Sequence, residues 1–383
     1  MKRARIGLLC VCAMTMLPVT SWGQATDGWQ VSIDALYVLT RGNDVHTGDV
    51  FTESLDEQTT VTPTGPGTTI TDTRVDYGVV YDPIVTRMRD KGGVLLSVAY
   101  RGREWGAGVR GWQVTTDGSA SGSETSPSVS DLTGIRMWDH SSLPVVNRFT
   151  ASGYSPVAYY AENELRTRRI DGFIERRFVA TDNLNISFRA GAAHGRLENR
   201  RAEGHSESAA YQDVIGSNVL TGLNDITLDA DSESEGNLFG PMFGLAGDAT
   251  YGRWRLEWAA LPAVLLGTVA TSGEWIDIDD ITEVEVEPGF SDTRTIRLEG
   301  VIPMEEDVRV AVPVLDLHAK VSVSVARGLR VGAGVLSSSW FGAPVAPAFS
   351  IPGEWTDVEG TGWRLQTRDV TFFSYSVFAS LGF

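Results

Sequence analysis

The sequence predicts an all-β chain: an antiparallel, up-and-down transmembrane β-barrel of about ten strands, with twelve as the alternative. Three observations predict it. Apolar and polar residues alternate with period two through successive segments, the mark of strands with one greasy face. Those segments come in pairs joined by turns of two or three residues and separated by long polar stretches. Beyond residue 25 no apolar run reaches the roughly 20 residues of a membrane helix. A chain that spans a bilayer without helices must pair every backbone group inside a closed barrel.

The first element is a leader. Lys2, Arg3 and Arg5 precede an apolar run from Ile6 to Leu17, followed by Ser21-Trp22-Gly23-Gln24-Ala25. That order predicts a secretory signal peptide over 1–25, removed after Ala25 or Gly23, and a single barrel domain over 26–383. Both cysteines, Cys10 and Cys12, lie in the leader, so the exported part carries no thiol for a disulfide, a metal or catalysis. The formal charge is −17, from 32 basic and 49 acidic residues, and loss of the three leader cations takes it to −20. Such acidity argues against nucleic acid as a partner.

From Trp29 to Leu39 the odd positions are Trp, Val, Ile, Ala, Tyr and Leu, which predicts the first tilted membrane strand. Four hairpins follow. Val94 to Tyr100 turns at Gly102-Arg103 into Trp105 to Gln113, and Ile170 to Phe178 turns at 181–183 into Leu184 to Ala192. Phe239 to Tyr251 turns at Gly252-Arg253 into Trp254 to Leu266, and Val310 to Val325 turns at Arg327-Gly328 into Leu329 to Val335. Val370 to Phe383 is the last strand. The five remaining stretches, 41–91, 115–164, 197–237, 271–307 and 340–369, are predicted as long external loops, opposite short periplasmic turns. Within them, Glu283 to Glu287 against Thr295 to Glu299, and Thr59 to Thr62 against Thr68 to Thr71, read as hairpins, and Gly118 to Ser130 as a flexible tip.

The closing segment alternates Phe373, Tyr375, Val377, Ala379, Leu381 and Phe383 against Ser374, Ser376, Phe378, Ser380 and Gly382. A terminal Phe after such an alternation resembles the C-terminal signal of Gram-negative outer-membrane β-barrel proteins. The resemblance implies a porin-like barrel in the bacterial outer membrane, with outer-membrane lipid and the barrel-assembly machinery as partners.

If the apolar phase faces lipid, the other phase lines the lumen. That assignment gives Asp34, Arg101, Arg110, Arg169, Asp171, Glu175, Arg177, Arg189, Asp248, Arg255, Glu257, Asp316, His318 and Lys320. Arg or Lys facing lipid at the midplane would cost about 2–4 kcal/mol each, which supports the phase. The interspersed Gly106, Gly108, Gly191, Gly240, Gly244, Gly332 and Gly334 predict free space inside. Ten to twelve strands enclose at most a narrow passage. The charges would then line a pore or pair with one another. Trp29, Tyr37, Trp105, Tyr251, Trp254, Trp258 and Tyr375 read as interfacial girdles on the lipid phase.

Candidate chemistry is sparse. Asp316-Leu317-His318 sets a carboxylate and an imidazole on one side of a strand, where the Asp could orient a general base. The pair resembles the Asp-x-His half of omptin proteases, which are ten-stranded outer-membrane barrels. Their paired aspartates have no clear counterpart, since the second connection offers only Asp131 and Asp139-His140. With Lys320 next in register, a lumen ion pair is the better reading, and no catalytic residue is assigned. The runs Asp229, Asp231, Glu233, Glu235 and Asp277, Asp279, Asp280 lack EF-hand spacing and read as solvated loops, so no metal or cofactor is expected. Three functions follow in order: a porin-like or narrow channel passing or binding small solutes through a charged lumen; a non-conducting surface barrel whose acidic loops bind a partner; and an outer-membrane hydrolase.

Overall fold

Strands that alternate in this way satisfy their outermost backbone groups only if the first and last meet. In the computed structural model they do. It describes residues 28–65, 68–125, 131–137, 156–181, 183–215, 218–287, 290–350 and 362–383. The leader over 1–25, with Cys10 and Cys12, lies outside the described residues, as does Asp139-His140. The strands are β1 (Gly28–Arg41), β2 (Val45–Gly65), β3 (Thr68–Thr86), β4 (Lys91–Arg101), β5 (Trp105–Thr125), β6 (Asp131–Met137) and β7 (Pro156–Ala180). They continue as β8 (Leu184–Ile215), β9 (Asn218–Tyr251), β10 (Trp254–Glu287), β11 (Phe290–Ala326), β12 (Leu329–Ser350) and β13 (Gly362–Gly382). Among the described residues ten strands close a ring in the order β1-β13-β12-β11-β10-β9-β8-β7-β5-β4. The antiparallel seam between β1 and β13 runs from Gln30 opposite Gly382 to Arg41 opposite Thr371.

The outer face is apolar around the short-turn end. On β9 it reads Tyr251, Leu245, Phe243 and Phe239 before turning polar at Asn237 and Glu235, and on β7 Ile174 and Ile170 give way to Arg168 and Arg166. Trp29, Tyr100, Trp105, Tyr251 and Trp254 ring the short-turn edge, all substantially exposed, with Trp29 packed on Tyr100 at 5.5 Å. A soluble barrel would bury these side chains; here they clothe the exterior, as in a barrel facing lipid. Phe243 is 52 % exposed in mid-belt. Phe243→Arg is expected to cost about 2–4 kcal/mol in unfolding from bilayers, whereas the same change at Asn237 should cost under about 1 kcal/mol. The Gly252 turn between β9 and β10 has φ +58°, a conformation glycine adopts without strain.

Among the described residues the long external connections are largely strand rather than loop. The strands β7 to β11 run 25, 32, 34, 34 and 37 residues, whereas a bilayer span needs about 9–11. Residues 197–215 and 218–237 stay paired to the end at Ile215 opposite Asn218, and β10 and β11 pair up to Glu287 opposite Phe290. Gly118 to Thr125 is likewise strand, paired to β7, which corrects the expected flexible tip over those residues; 126–130 lie outside the described residues. Pairing persists above the membrane because both faces stay engaged: the inner phase is buried at Leu197, Asn199 and Arg201, and the outer phase forms cross-strand pairs such as Arg200–Glu233 at 3.0 Å and Arg196–Glu235 at 2.7 Å. Those exposed pairs each add little, but with continuous backbone pairing they leave no reason to unravel. The first connection does hold two extra strands, but β2 and β3 form a separate sheet with β6 and do not enter the ring.

Candidate functional site in the barrel interior

The interior is layered. At the short-turn end lie the fourteen ionisable residues singled out by phase, thirteen of them besides Arg177, which is half-buried near the end of β7. Arg110 on β5 and Arg169 on β7 reach across the lumen to Asp316 on β11, at 2.5 and 2.9 Å. Asp171 joins them, bonded to Arg110 through Nε at 3.0 Å and to Arg169 at 2.7 Å. Ser338 on β12 donates to Asp316 at 2.6 Å and accepts from the Trp340 indole at 3.1 Å. Nearer the mouth, Lys320 pairs with Asp34 at 2.5 Å, and Arg189 with Glu175 at 2.9 Å. Arg255 joins Asp248 and Glu257 at 2.9 and 3.1 Å, and Arg101 meets Glu257 at 3.3 Å. Six cations thus face six carboxylates, with His318 beside them. A balanced, cross-linked set is a strut between opposite walls rather than a field for drawing ions through.

Asp316 is fully committed to Arg110, Arg169 and Ser338, and among the described residues no hydrogen bond joins it to His318. The imidazole therefore lacks the carboxylate that would orient it. It also lies beneath the next layer, out of reach from the long-strand end.

That layer is dry. Every ring strand sends an apolar side chain inward: Val38, Leu95, Trp112, Leu165, Leu197, Leu238, Leu265, Val312, Trp340 and Phe372 all have 3 % exposure or less. They form one continuous cluster. Trp340 sits against the bare backbone of Gly195, where a Cβ would come 2.6 Å from the indole. The expected free space at the inner glycines is taken up in the same way. Phe173 leans over Gly108, Phe378 over Gly332 and the Lys320 stem over Gly334, each within 2.8 Å of where a Cβ would stand. Small residues here make room for large neighbours across the ladder, not for solvent.

Above Trp340, β12 parts from β11 and turns inward, still paired to β13. Gly342 takes φ +60°, its N–H held by Asp369 at 2.8 Å, and the pairing with β13 shifts register between Trp340 and Ala343 and again between Val345 and Ala348. Residues 343–349 are all buried. The Ala346 N–H donates to Asn199 on β8 at 2.7 Å, and Ser232 on β9 donates to the Pro347 carbonyl at 2.7 Å. Phe349 stacks on Trp275 of β10 at 4.7 Å. The segment crosses the lumen and closes it from above. Asn199 also donates to Asn163, and Asn163 to the Asn43 carbonyl, both at 2.8 Å, so a chain of amides ties β1's end to this bar.

Higher still, β8 buries His205, and burial holds its imidazole down to about pKa 4. The ordinary value is near 6.5, so the fold prefers the neutral ring. Its contribution to stability is present above pH 6.5 and is lost as pH falls from 6.5 to about 4, a loss of about 3 kcal/mol. Protection factors of the backbone amides around 199–205, taken against the intrinsic exchange rate at each pH, should therefore fall between pH 7 and 4.5, and His205→Asn should abolish that dependence.

On the outer wall above the belt, Glu162, Glu164, Asp231, Glu233 and Glu274 surround a concavity of about 740 Å³ with Arg89 and Arg200. Burial first, then Asp229, Glu274 and Glu162, raises the Asp231 carboxyl above its usual range. In the second acidic run, burial and Asp279 raise Asp277, while Asp280 meets Arg297 at 3.4 Å.

No family model matches the sequence, and a search of curated proteins gives no match. Among solved structures the chain is similar to the outer-membrane protease OmpT of Escherichia coli, at 10 % identity and TM-score 0.42, over 95 % of this chain and 99 % of that one. It is similar to the toluene transporter TodX of Pseudomonas putida at 8 % identity and TM-score 0.23, over 94 % and 91 %. It is similar to a FadL homologue of Pseudomonas aeruginosa at 9 % and 0.21, over 93 % and 90 %. These likenesses are too low for any residue's role to pass between the chains.

The dry layer and the inward bar are what sequence reading misses. The signal was present: Leu36 and Val38 follow Asp34 on the lumen phase, Trp112 and Val114 follow Arg110, and Val312 and Val314 precede Asp316. Both phases turn apolar at that level, which a water-filled lumen would not require.

Proposed function

We propose that the chain is a non-conducting barrel of a Gram-negative outer membrane, its short turns in the periplasm, which works at the cell surface through its tall external wall. The observation that carries this reading is the apolar layer to which all ten strands contribute, with no side chain there more than 3 % exposed. The acidic concavity around Glu162, Asp231 and Glu274 supports a cationic partner, docked by charge complementarity. The C-terminal residues Phe373, Tyr375, Val377, Leu381 and Phe383 lie on β13's outer phase, where an assembly factor can read them before closure.

Single-channel recording on the refolded protein tests the reading: the expected trace has no stable conductance steps at any holding potential. Steps in the unaltered protein that change with Arg110→Ala or Asp316→Ala would replace it with the porin-like one. One observation favours that second reading in gated form. The bar of residues 343–349 is joined to the opposite wall by the Asn199 and Ser232 hydrogen bonds and the Phe349 stack, a set small enough for a solute to displace. A hydrolase has less support, since His318 lacks its carboxylate; any peptide or lipid hydrolysis by the protein is expected to be unchanged by His318→Ala.

A further inference from the structure

Beneath the dry layer the lumen holds a chamber of about 70 Å³, room for roughly five water-sized groups. Its wall includes Arg101, Arg110, Arg189 and Lys320, against the carboxylates of Asp34 and Glu257. The network as a whole is balanced, but its balance is uneven in space. Asp171 and Asp316 hold Arg110 from behind, and Glu175 holds Arg189, and none of these three lines the chamber. Four cations therefore face the space and two anions do.

One donor is left over. Arg110 is 5 % exposed, and its Nη1 has no hydrogen-bond partner, although Nε and Nη2 are both engaged. A buried guanidinium N–H without an acceptor is costly, and a charged acceptor satisfies it best. Arg101 adds a second such donor at Nε. It is the last residue of β4, level with Gly28 at the start of β1, so the chamber reaches the short-turn mouth. The apolar layer closes the other end.

We propose that this dead-end chamber binds one small inorganic oxyanion of phosphate size, admitted from the periplasmic side and held by Arg110 with Arg101, Arg189 and Lys320. The site goes beyond the surface role and does not depend on it. Its size admits the bare ion and excludes a phosphate ester of any bulk. Because the passage is blocked above, the ion binds and leaves by the same mouth.

The probe is inorganic phosphate, titrated into the refolded full barrel in chloride-free detergent at fixed ionic strength and followed by phosphorus NMR. Saturable binding at one site is expected, displaced by sulfate. Arg110→Met should weaken it by about tenfold or more, the worth of a charge-assisted hydrogen bond. Since Arg110→Met also breaks the strut, Ser97→Leu is the deciding variant. Ser97 lines the chamber from β4, touching Ser32 at 2.9 Å and no charged group in that bond, and a leucine fills the space without altering the charges. Its circular dichroism should match the unaltered barrel while phosphate binding is lost. No saturable binding by the unaltered protein overturns the proposal, as does a folded Ser97→Leu barrel that binds phosphate undiminished. Conductance measurements fail or succeed independently of either result.

Discussion

Asp316→Ala is expected to destabilise the barrel by about 3–5 kcal/mol, because it leaves two buried guanidinium groups to share the single carboxylate of Asp171. Arg169 has no exposed surface and Arg110 almost none, and both reach Asp316 across the lumen from β5 and β7 to β11. Desolvation of the charges has already been met in the folded state, so losing the carboxylate removes only the favourable half of the balance. Ser338→Ala, which takes away one neutral donor to Asp316 and the acceptor of the Trp340 indole, should cost less, about 2 kcal/mol. Replacing Arg110, Arg169, Asp171 and Asp316 together by apolar residues of like volume should recover most of the loss, since a buried ion set is often no better than good packing. Urea unfolding from bilayers measures all three. A loss below about 1 kcal/mol for Asp316→Ala would mean that the strut is wet and the interior far less closed than its burial implies.

The second large effect is expected from Trp340→Ala. Removing a fully buried indole costs about 3–5 kcal/mol, the sum of lost burial and an unfilled cavity. Here the cavity has a direction. Trp340 spans from β12 toward Gly195 on β8 and Leu265 on β10, so its loss opens the dry layer nearly from wall to wall. The unaltered barrel should be silent in planar bilayers, and Trp340→Ala should leak. Gly195→Leu in the same variant returns bulk to the gap from the opposite wall and should silence it again. A Trp340→Ala barrel that folds and stays silent would place the seal elsewhere, with the bar of residues 343–349 as the next barrier to test.

Much of this architecture is legible in the sequence because a strand's two faces are set by position alone. Leu315, Leu317 and Ala319 face out and Asp316, His318 and Lys320 face in, and no distant contact is needed to see it. Strand number follows from the hairpin rhythm, and the ring has ten. What is not legible is whatever depends on partners across the ring. That Phe378 covers Gly332, or that Asp316 is shared by Arg110 and Arg169, depends on which strands come to face one another and at what height. The extent of β8 and β9 past the membrane is hidden for another reason: both faces there carry polar groups, so the contrast that marks a strand in lipid disappears although pairing does not. The departure of β12 is harder still. Gly342, Pro344 and Pro347 announce a break, but only the waiting Asn199 and Ser232 decide where the broken segment goes.

The seam between β1 and β13 carries a consequence for how the molecule is made. Its two rails lie more than three hundred residues apart in the chain, so the cylinder cannot seal until the final segment has emerged and travelled back to the start. Until then two raw edges stand open, each a template for a stranger's strand, and the long search for the right partner makes closure slow. A chain interrupted anywhere before Gly362 would therefore not be a smaller cylinder but an open sheet.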